Sequence, residues 1–163
     1  MEYTVASMDT RTAQAHRGVT LDQVQALTHE LIKSVLDARD YAYMVDEDGD
    51  VLGNFQGNLV YFFQIGENNE MLQVRAMVQH VFGMEDVVRL YEFCNAWNHD
   101  RLWPKAYVHV QDDGTVNVVG EVIADWEKGV TAEQLDQVIV CGIATGCQLA
   151  DAVAELKQSR PTN

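Results

Sequence analysis

The sequence is poor in cysteine and in basic residues, and each shortage argues against a class of protein. The three cysteines, Cys94, Cys141 and Cys147, are odd in number and lack the close pairs of a zinc site or a redox motif. We therefore expect reduced, structural thiols. Acidic residues outnumber basic ones 25 to 11, for a formal charge of -14, and this charge repels phosphate backbones and anionic lipid surfaces. Neither nucleic acid nor membrane is expected as a partner.

Long apolar runs are absent as well. No stretch of roughly eighteen apolar residues occurs, as a membrane-spanning helix would require. The first residues, MEYTVASMDTRT, lack the basic and then apolar pattern of a secretion leader. The expected location is therefore the cytoplasm.

Motifs for catalysis and metal binding are missing too. The sequence has no phosphate-binding loop, dinucleotide fingerprint or Gly-x-Ser-x-Gly motif, and its five histidines show no metal-binding spacing. Asp46, Asp48 and Asp50 alternate like calcium ligands, but Val51 and Gly57 stand where an EF-hand needs glycine and glutamate. We expect no catalytic residues, no cofactor and no metal.

The apolar content is sufficient for a packed core. Hydrophobic residues make up 47% and charged residues 22% of 163 positions, as in a globular domain. No repeat or low-complexity linker divides the chain. We predict a flexible N-terminal tail at residues 1–18, a single domain at 19–158 and a C-terminal tail at 159–163.

Two helices are indicated by capping-box spacing followed by an apolar stripe. Thr20 and Gln23 predict a first helix that ends near Arg39, and Thr131 with Gln134 predicts the start of the last helix. The first stripe consists of Leu21, Val24, Thr28, Leu31 and Val35, widened by Leu27 and Ile32.

Strand-forming segments alternate with turn sequences in two parts of the chain. Asp112-Asp113-Gly114 is a strong hairpin turn. Leu59 to Ile65 is apolar on both alternating faces, which predicts a central strand covered on both sides, whereas Leu72 to Gln79 alternates and predicts one wet face. The predicted strands are 41–45, 51–55, 59–65, 72–79, 106–110 and 116–123.

The order of these elements predicts the fold class. One helix, three or four strands, a helix, two strands and a helix give α-β-β-β(-β)-α-β-β-α. An α+β fold, with an antiparallel sheet and helices packed on one side, is the economical arrangement.

The predicted middle helix, Met84 to Trp97, has an unusually wide apolar arc. A helix that packs only on a sheet needs a narrower apolar stripe. The additional apolar surface at Leu90, Phe93 and Trp97 is therefore expected to contact another helix of the chain or a second subunit. We slightly favour the second subunit, in a homodimer.

Polar and aromatic residues near the end of this helix have two interpretations. Asn95 and Asn98 fall within the apolar arc, where an unpaired amide would be costly, so each is expected to bond to backbone or to the helix end. The less favoured alternative is an amide pair that orients a ligand or a peptide backbone. Trp103 lies in the loop that follows and belongs either to the core or to an exposed aromatic patch.

Small residues recur on the last helix. Gly142, Gly146 and Ala150 are four residues apart, and each interior glycine costs about 1 kcal/mol relative to alanine. We expect close approach of another backbone, either the sheet or a helix of a second copy.

The stretch from Phe93 to Val108, FCNAWNHDRLWPKAYV, together with the Asp-Gly hairpin and Gly129-Val130-Thr131, resembles the YbjN family. Members of this family are described as bacterial sensory transduction regulators. The resemblance covers roughly residues 21–156 in element order. It implies a fold similar to type III secretion chaperones, which commonly dimerise and bind extended client segments, and it supplies no catalytic residues.

Two functions follow as hypotheses. The first is a non-enzymatic regulator or chaperone-like module, a homodimer that binds a client protein. Its predicted partner or dimer interface consists of Leu90, Phe93, Trp97, Asn95, Asn98 and Trp103. The second is a small-molecule sensor or cryptic enzyme with a pocket near Asn95, Asn98 and Trp103.

Overall fold

The computed structural model describes residues 23–159, which form a six-stranded antiparallel sheet with three helices on one side. The strand order is β1-β2-β3-β4-β6-β5. This arrangement confirms the predicted fold class and element order, including the optional fourth strand. The elements are α1 (His29–Ala38), β1 (Met44–Val45), β2 (Val51–Phe55), β3 (Asn58–Ile65), β4 (Met71–Phe82), α2 (Val87–Asp100), β5 (Lys105–Val110), β6 (Val116–Asp125) and α3 (Ala132–Gln158).

Helix α1 begins later than the sequence pattern predicted. The N-cap is Thr28, whose side-chain oxygen accepts a hydrogen bond from the Leu31 amide at 3.1 Å. The residues just before it are not helical, because Gln25 pairs with Val130 in an isolated β-bridge. The predicted start at Thr20 and the predicted tail at residues 1–18 lie outside the described residues, as do residues 160–163.

Helix α3 packs along the sheet and organises the core. Its start is the predicted capping box, because Thr131 Oγ1 accepts from the Gln134 amide at 3.2 Å and Gln134 Oε1 accepts from the Thr131 amide at 3.1 Å. A Cβ on Gly142 would lie 2.6 Å from Val74 Cγ1. The predicted close approach is therefore to the sheet of the same chain, through the side chains of Val74 and Ala76. By length and composition alone this helix could cross a membrane, but its apolar side lies in the core.

Strand β3 is covered by described elements on one side only, which corrects the predicted double cover. Val60 and Phe62 are buried beneath the helices, whereas Tyr61 and Phe63 on the opposite side are half-buried. The difference arises because all three helices pack on the same face of the sheet. We call the opposite side, which carries Tyr61, Phe63, Arg75, Tyr107 and Glu121, the second face.

The wide apolar arc of α2 divides between the core and the surface. Leu90 and Trp97 are buried in a cluster formed with β5, β6 and α3. Met84, Val88 and Tyr91 are exposed, with Val88 at 69%. A 3-10 turn, Met84–Asp86, leads into the helix, which ends at Asp100.

Candidate functional site

The second face brings together side chains from four strands in register. Tyr61 pairs with Arg75, Arg75 pairs with Glu121, and Glu121 pairs with Lys105, so one row crosses β3, β4, β6 and β5. Cross-strand partners share a face of an antiparallel sheet. None of the helices between residues 23 and 159 covers this row.

A buried carboxylate forms the centre of the row. Glu121 Oε2 accepts hydrogen bonds from Gln73 Nε2 at 2.9 Å and from the Tyr107 hydroxyl at 3.1 Å. The other oxygen, Oε1, forms an ion pair with Lys105 Nζ, and Arg75 Nε lies 3.9 Å from Oε2. A buried charge is tolerated when it is paired and hydrogen-bonded, as here.

Burial and the neighbouring Glu121 charge raise the pKa of Tyr107. A raised pKa keeps the phenol protonated, so its hydroxyl remains a donor to the carboxylate at neutral pH. The pair is therefore a stable structural hydrogen bond and not a proton-transfer couple poised near pH 7.

Aromatic rings surround this polar centre. Tyr61 and Phe63 stack with their ring centroids 4.9 Å apart. Arg75 lies over the Phe63 ring at 5.0 Å, and Lys105 lies over the Tyr107 ring at 5.3 Å. These contacts place two cationic side chains over aromatic rings. The resulting surface is broad, aromatic and preorganised.

Three of the predicted interface residues lie in or against the core. Leu90 is fully buried, and Trp97 is buried with its Nε1 donating to the Pro104 carbonyl at 3.0 Å. Phe93 is half-buried and packs on Trp97, with ring centroids 6.1 Å apart. Leu90 and Trp97 thus present little surface to a partner, and whether a partner contacts Phe93 stays a prediction.

Asn95, Asn98 and Trp103 occupy three different settings. The Asn98 amide is bonded to Ala106, donating to its carbonyl at 2.9 Å and accepting from its N–H at 2.8 Å. This is the backbone staple that the sequence favoured. Asn95 is exposed on α2, and Trp103 is about half exposed in the loop before β5.

Two cavities lie away from that loop. The larger, about 410 Å³, is lined in part by Gln25, Asn68, Trp126 and Lys128. Within the described chain, Gln25 Nε2 and Trp126 Nε1 are buried without a hydrogen-bond partner. The smaller cavity, about 330 Å³, lies between the end of β4, the start of α2 and the end of α3.

The three cysteines are free thiols, as predicted. Burial raises the pKa of Cys94 to about 11 and also raises the pKa of Cys141 and Cys147. The nucleophilic form of cysteine is the thiolate, so these thiols are poor nucleophiles at neutral pH.

Sequence reasoning missed the Glu121 centre. The available signal was a lone glutamate inside an apolar strand, Val116 to Ile123, together with Gln73 and Arg75 on the neighbouring strand, at positions predicted to be wet. The structure corrects that prediction, because Gln73 is buried and Arg75 is half-buried. Assigning these residues to one site also requires the strand pairing and its register, which the sequence pattern leaves open.

Comparisons with known proteins give the family and the fold. The model of the YbjN family, described as "Putative bacterial sensory transduction regulator", matches residues 28–155. No curated protein sequence matches the chain. The fold is similar to the crystal structure of E. coli YbjN, described as "a putative transcription regulator", with TM-score 0.70, 19% identity and coverage of 82% of this chain and 96% of that one.

An uncharacterized protein from Methanothermobacter thermautotrophicus is also similar, with TM-score 0.56, 12% identity and coverage of 80% of this chain and 99% of that one. Because both identities are low, these two likenesses show the fold alone. The family match covers most of the chain and supports a regulatory, non-catalytic role. The chain belongs to the YbjN family.

Proposed function

We propose that this protein is a non-enzymatic regulator that binds a protein client on the second face and forms a homodimer. The observation that carries the proposal is the second face itself, where stacked Tyr61 and Phe63 adjoin the bonded Glu121 centre. Aromatic and arginine side chains are enriched where proteins bind one another. Such a surface suits a protein partner better than a small substrate.

The chemistry of the polar centre supports binding over catalysis. Glu121 is occupied by Gln73, Tyr107 and Lys105, so it has little capacity left to act as a base. The network instead fixes the orientation of the surrounding rings. A rigid surface lowers the entropy lost on binding.

A homodimer would require a surface other than the buried part of α2. Val88 and Tyr91 are exposed and three residues apart on one side of α2, and the exposed Met84 lies in the 3-10 turn just before the helix. We place the dimer contact of this proposal there.

A photo-crosslinking amino acid on the second face tests client binding. Placed at Ile123, an exposed position of β6 on this face, it should capture a discrete protein in lysate of the source cells. The matched control is Val45, an exposed apolar position on β1 at the opposite edge of the sheet. In a native pull-down with chains that carry no crosslinker, Ile123→Glu should fail to recover the captured protein and Val45→Glu should still recover it. Equal capture at both positions, or recovery by Ile123→Glu, would contradict the proposal.

A second candidate function is supported by the larger cavity. The unpartnered Gln25 Nε2 and Trp126 Nε1 are donors that a small molecule with carbonyl or hydroxyl oxygens could satisfy if the lining shifts. Glu70 and Glu127 line the same cavity and disfavour an anion. A thermal-shift screen of neutral metabolites tests this candidate, since a specific ligand raises the melting temperature by mass action. Trp126→Phe should abolish any such shift.

A further inference from the structure

The outer edge of β5 has a hydrogen-bonding pattern that can be deduced from two contacts. The N–H and C=O of Ala106 both bond to the Asn98 amide, so they point away from β6. The Gln111 amide donates to the Thr115 carbonyl at 2.8 Å, so Gln111 bonds toward the β6 side. The residues of β5 that bond to β6 are therefore the odd-numbered ones. Residues of an antiparallel edge strand bond alternately inward and outward. The N–H and C=O groups of Val108 and Val110 therefore also point outward.

Asn98 imitates one residue of a neighbouring strand. Its amide offers one donor and one acceptor to Ala106, as a paired backbone residue would. Beyond Ala106, no hydrogen bond joins the outward groups of Val108 or Val110 to another part of the described chain. The edge is thus closed at its start and open over the rest of its length.

The side chains beside this edge suit an extended segment. Val110 is exposed, and Leu102 is 94% exposed in the loop that leads into β5. Edge strands with unpaired backbone groups are templates for an added strand. Apolar side chains at alternate positions of the added strand would contact these residues.

Charge and geometry indicate which kind of chain can pair with the outer edge of β5. The chain carries a formal charge of -14, and the exposed Asp112 and Asp113 lie at the end of the edge. A second copy would bring the same negative charge. Two β5 strands could pair symmetrically about Val108 only if Ala106 of each copy paired with Val110 of the other. The outward groups of Ala106 are already bonded to Asn98, so this pairing is blocked. The charge therefore favours a basic partner, and the geometry disfavours a second copy.

We propose that the outer edge of β5 receives an extended, lysine- or arginine-containing segment of a partner protein as an added strand. The segment pairs with Val108 and Val110, and Asn98 sets the end of the pairing at Ala106. This inference rests on the protein-binding function proposed above and specifies where and how the partner is held.

A short synthetic peptide of alternating lysine and valine is the probe. Added to the full chain, it should slow exchange of the Val108 and Val110 amide hydrogens about tenfold, as measured by NMR, because pairing protects an amide. Two control peptides separate pairing from charge. One carries N-methyl groups on alternate amides and the other has glutamate in place of lysine, and neither should protect these amides.

Two variants test the geometry. Val110→Pro removes an outward donor without removing a bond to β6, so it should weaken peptide binding while the fold is kept. Asn98→Ala frees the outward groups of Ala106, so the peptide should then also protect the Ala106 amide. If Val110→Pro unfolds the chain, the N-methylated peptide still tests the pairing.

Three outcomes would overturn the inference. The first is that the peptide does not slow exchange of the Val108 and Val110 amide hydrogens, and the second is that the N-methylated peptide binds equally well. The third is that these amides are protected without peptide, and increasingly so at higher protein concentration, which would assign the edge to a second copy. The crosslinking test is independent of these. If Ile123→Glu fails to recover the client while Val110→Pro binds it as the wild type does, the edge inference fails and the proposed function stands.

Discussion

At the scale of single residues, the Glu121 carboxylate is engaged in hydrogen bonds and the Cys94 thiol is held protonated by burial. Glu121 accepts hydrogen bonds from Gln73 and Tyr107, and Cys94 lies buried beside Leu90 and Trp97 in the core. A carboxylate whose lone pairs are occupied and a thiol that stays protonated serve packing and orientation. Both observations are consistent with the proposed binding function and supply no catalytic group.

Cys94 is expected to resist alkylation in the folded protein. Its pKa of about 11, against an ordinary value of 9.0, lowers the thiolate fraction at pH 8 about a hundredfold. Because the thiol's pKa is raised on folding, its contribution to the free energy of unfolding is present below pH 9 and is lost as the pH rises toward 11. Mass spectrometry after iodoacetamide treatment measures the rate, with urea-unfolded protein as the control. Equal rates in the two states would contradict the burial.

At the scale of elements, α3 decides how closely a helix can approach the sheet. Gly142 lies against Val74 and Gly146 against Ala76, and in each case an added Cβ would come within 2.6 Å of a sheet side chain. The loss of helix propensity at the two glycines is offset by this contact. The helix therefore packs at a distance that larger residues would not allow.

Gly142→Leu should destabilise the protein by about 2 kcal/mol or more, because Val74 is β-branched on a central strand and cannot move aside cheaply. Ala144→Leu, on the exposed side of the same helix, is the matched control and should change stability by less than about 0.5 kcal/mol. Urea denaturation followed by circular dichroism measures both. A Gly142→Leu variant as stable as the control would show that the helix can shift.

At the scale of the whole molecule, apolar surface remains on two sides. One side is the second face, and the other consists of Val88 and Tyr91 on α2 with Met84 in the turn before it. Large exposed apolar patches commonly mark contacts with other proteins. Under the proposed function, the second face would bind the client and the α2 side would bind a second copy.

Light scattering on the purified chain should give the mass of two chains at micromolar concentration. Val88→Glu should reduce it to one, because a charge at the centre of an apolar contact is left unpaired. Ala144→Glu, which adds the same charge on exposed α3, should leave the dimer intact. A wild-type monomer would remove the homodimer from the proposal, and a dimeric Val88→Glu variant would place the contact elsewhere.

Local patterns in the sequence were sufficient to predict most of the helices, strands and turns. The Asp112-Asp113-Gly114 turn and the Thr131 capping box depend on neighbours within a few residues, so both were predicted correctly. The predicted start of α1 was wrong for the opposite reason. The residues before Thr28 continue a helical apolar spacing, yet Gln25 pairs with distant Val130, and a tertiary contact outweighed the local pattern.

The sequence by itself determined the element types, their order and the fold class, because periodicity and capping are encoded locally. Only the tertiary structure decided which side of α2 is buried and which face of β3 is left without a helix. It also decided the partners of Glu121, since Gln73 lies 48 residues away and meets it only through strand register. Register is a property of the paired strands and not of either strand alone. The second face, on which the proposed function depends, is therefore visible only once the sheet is assembled.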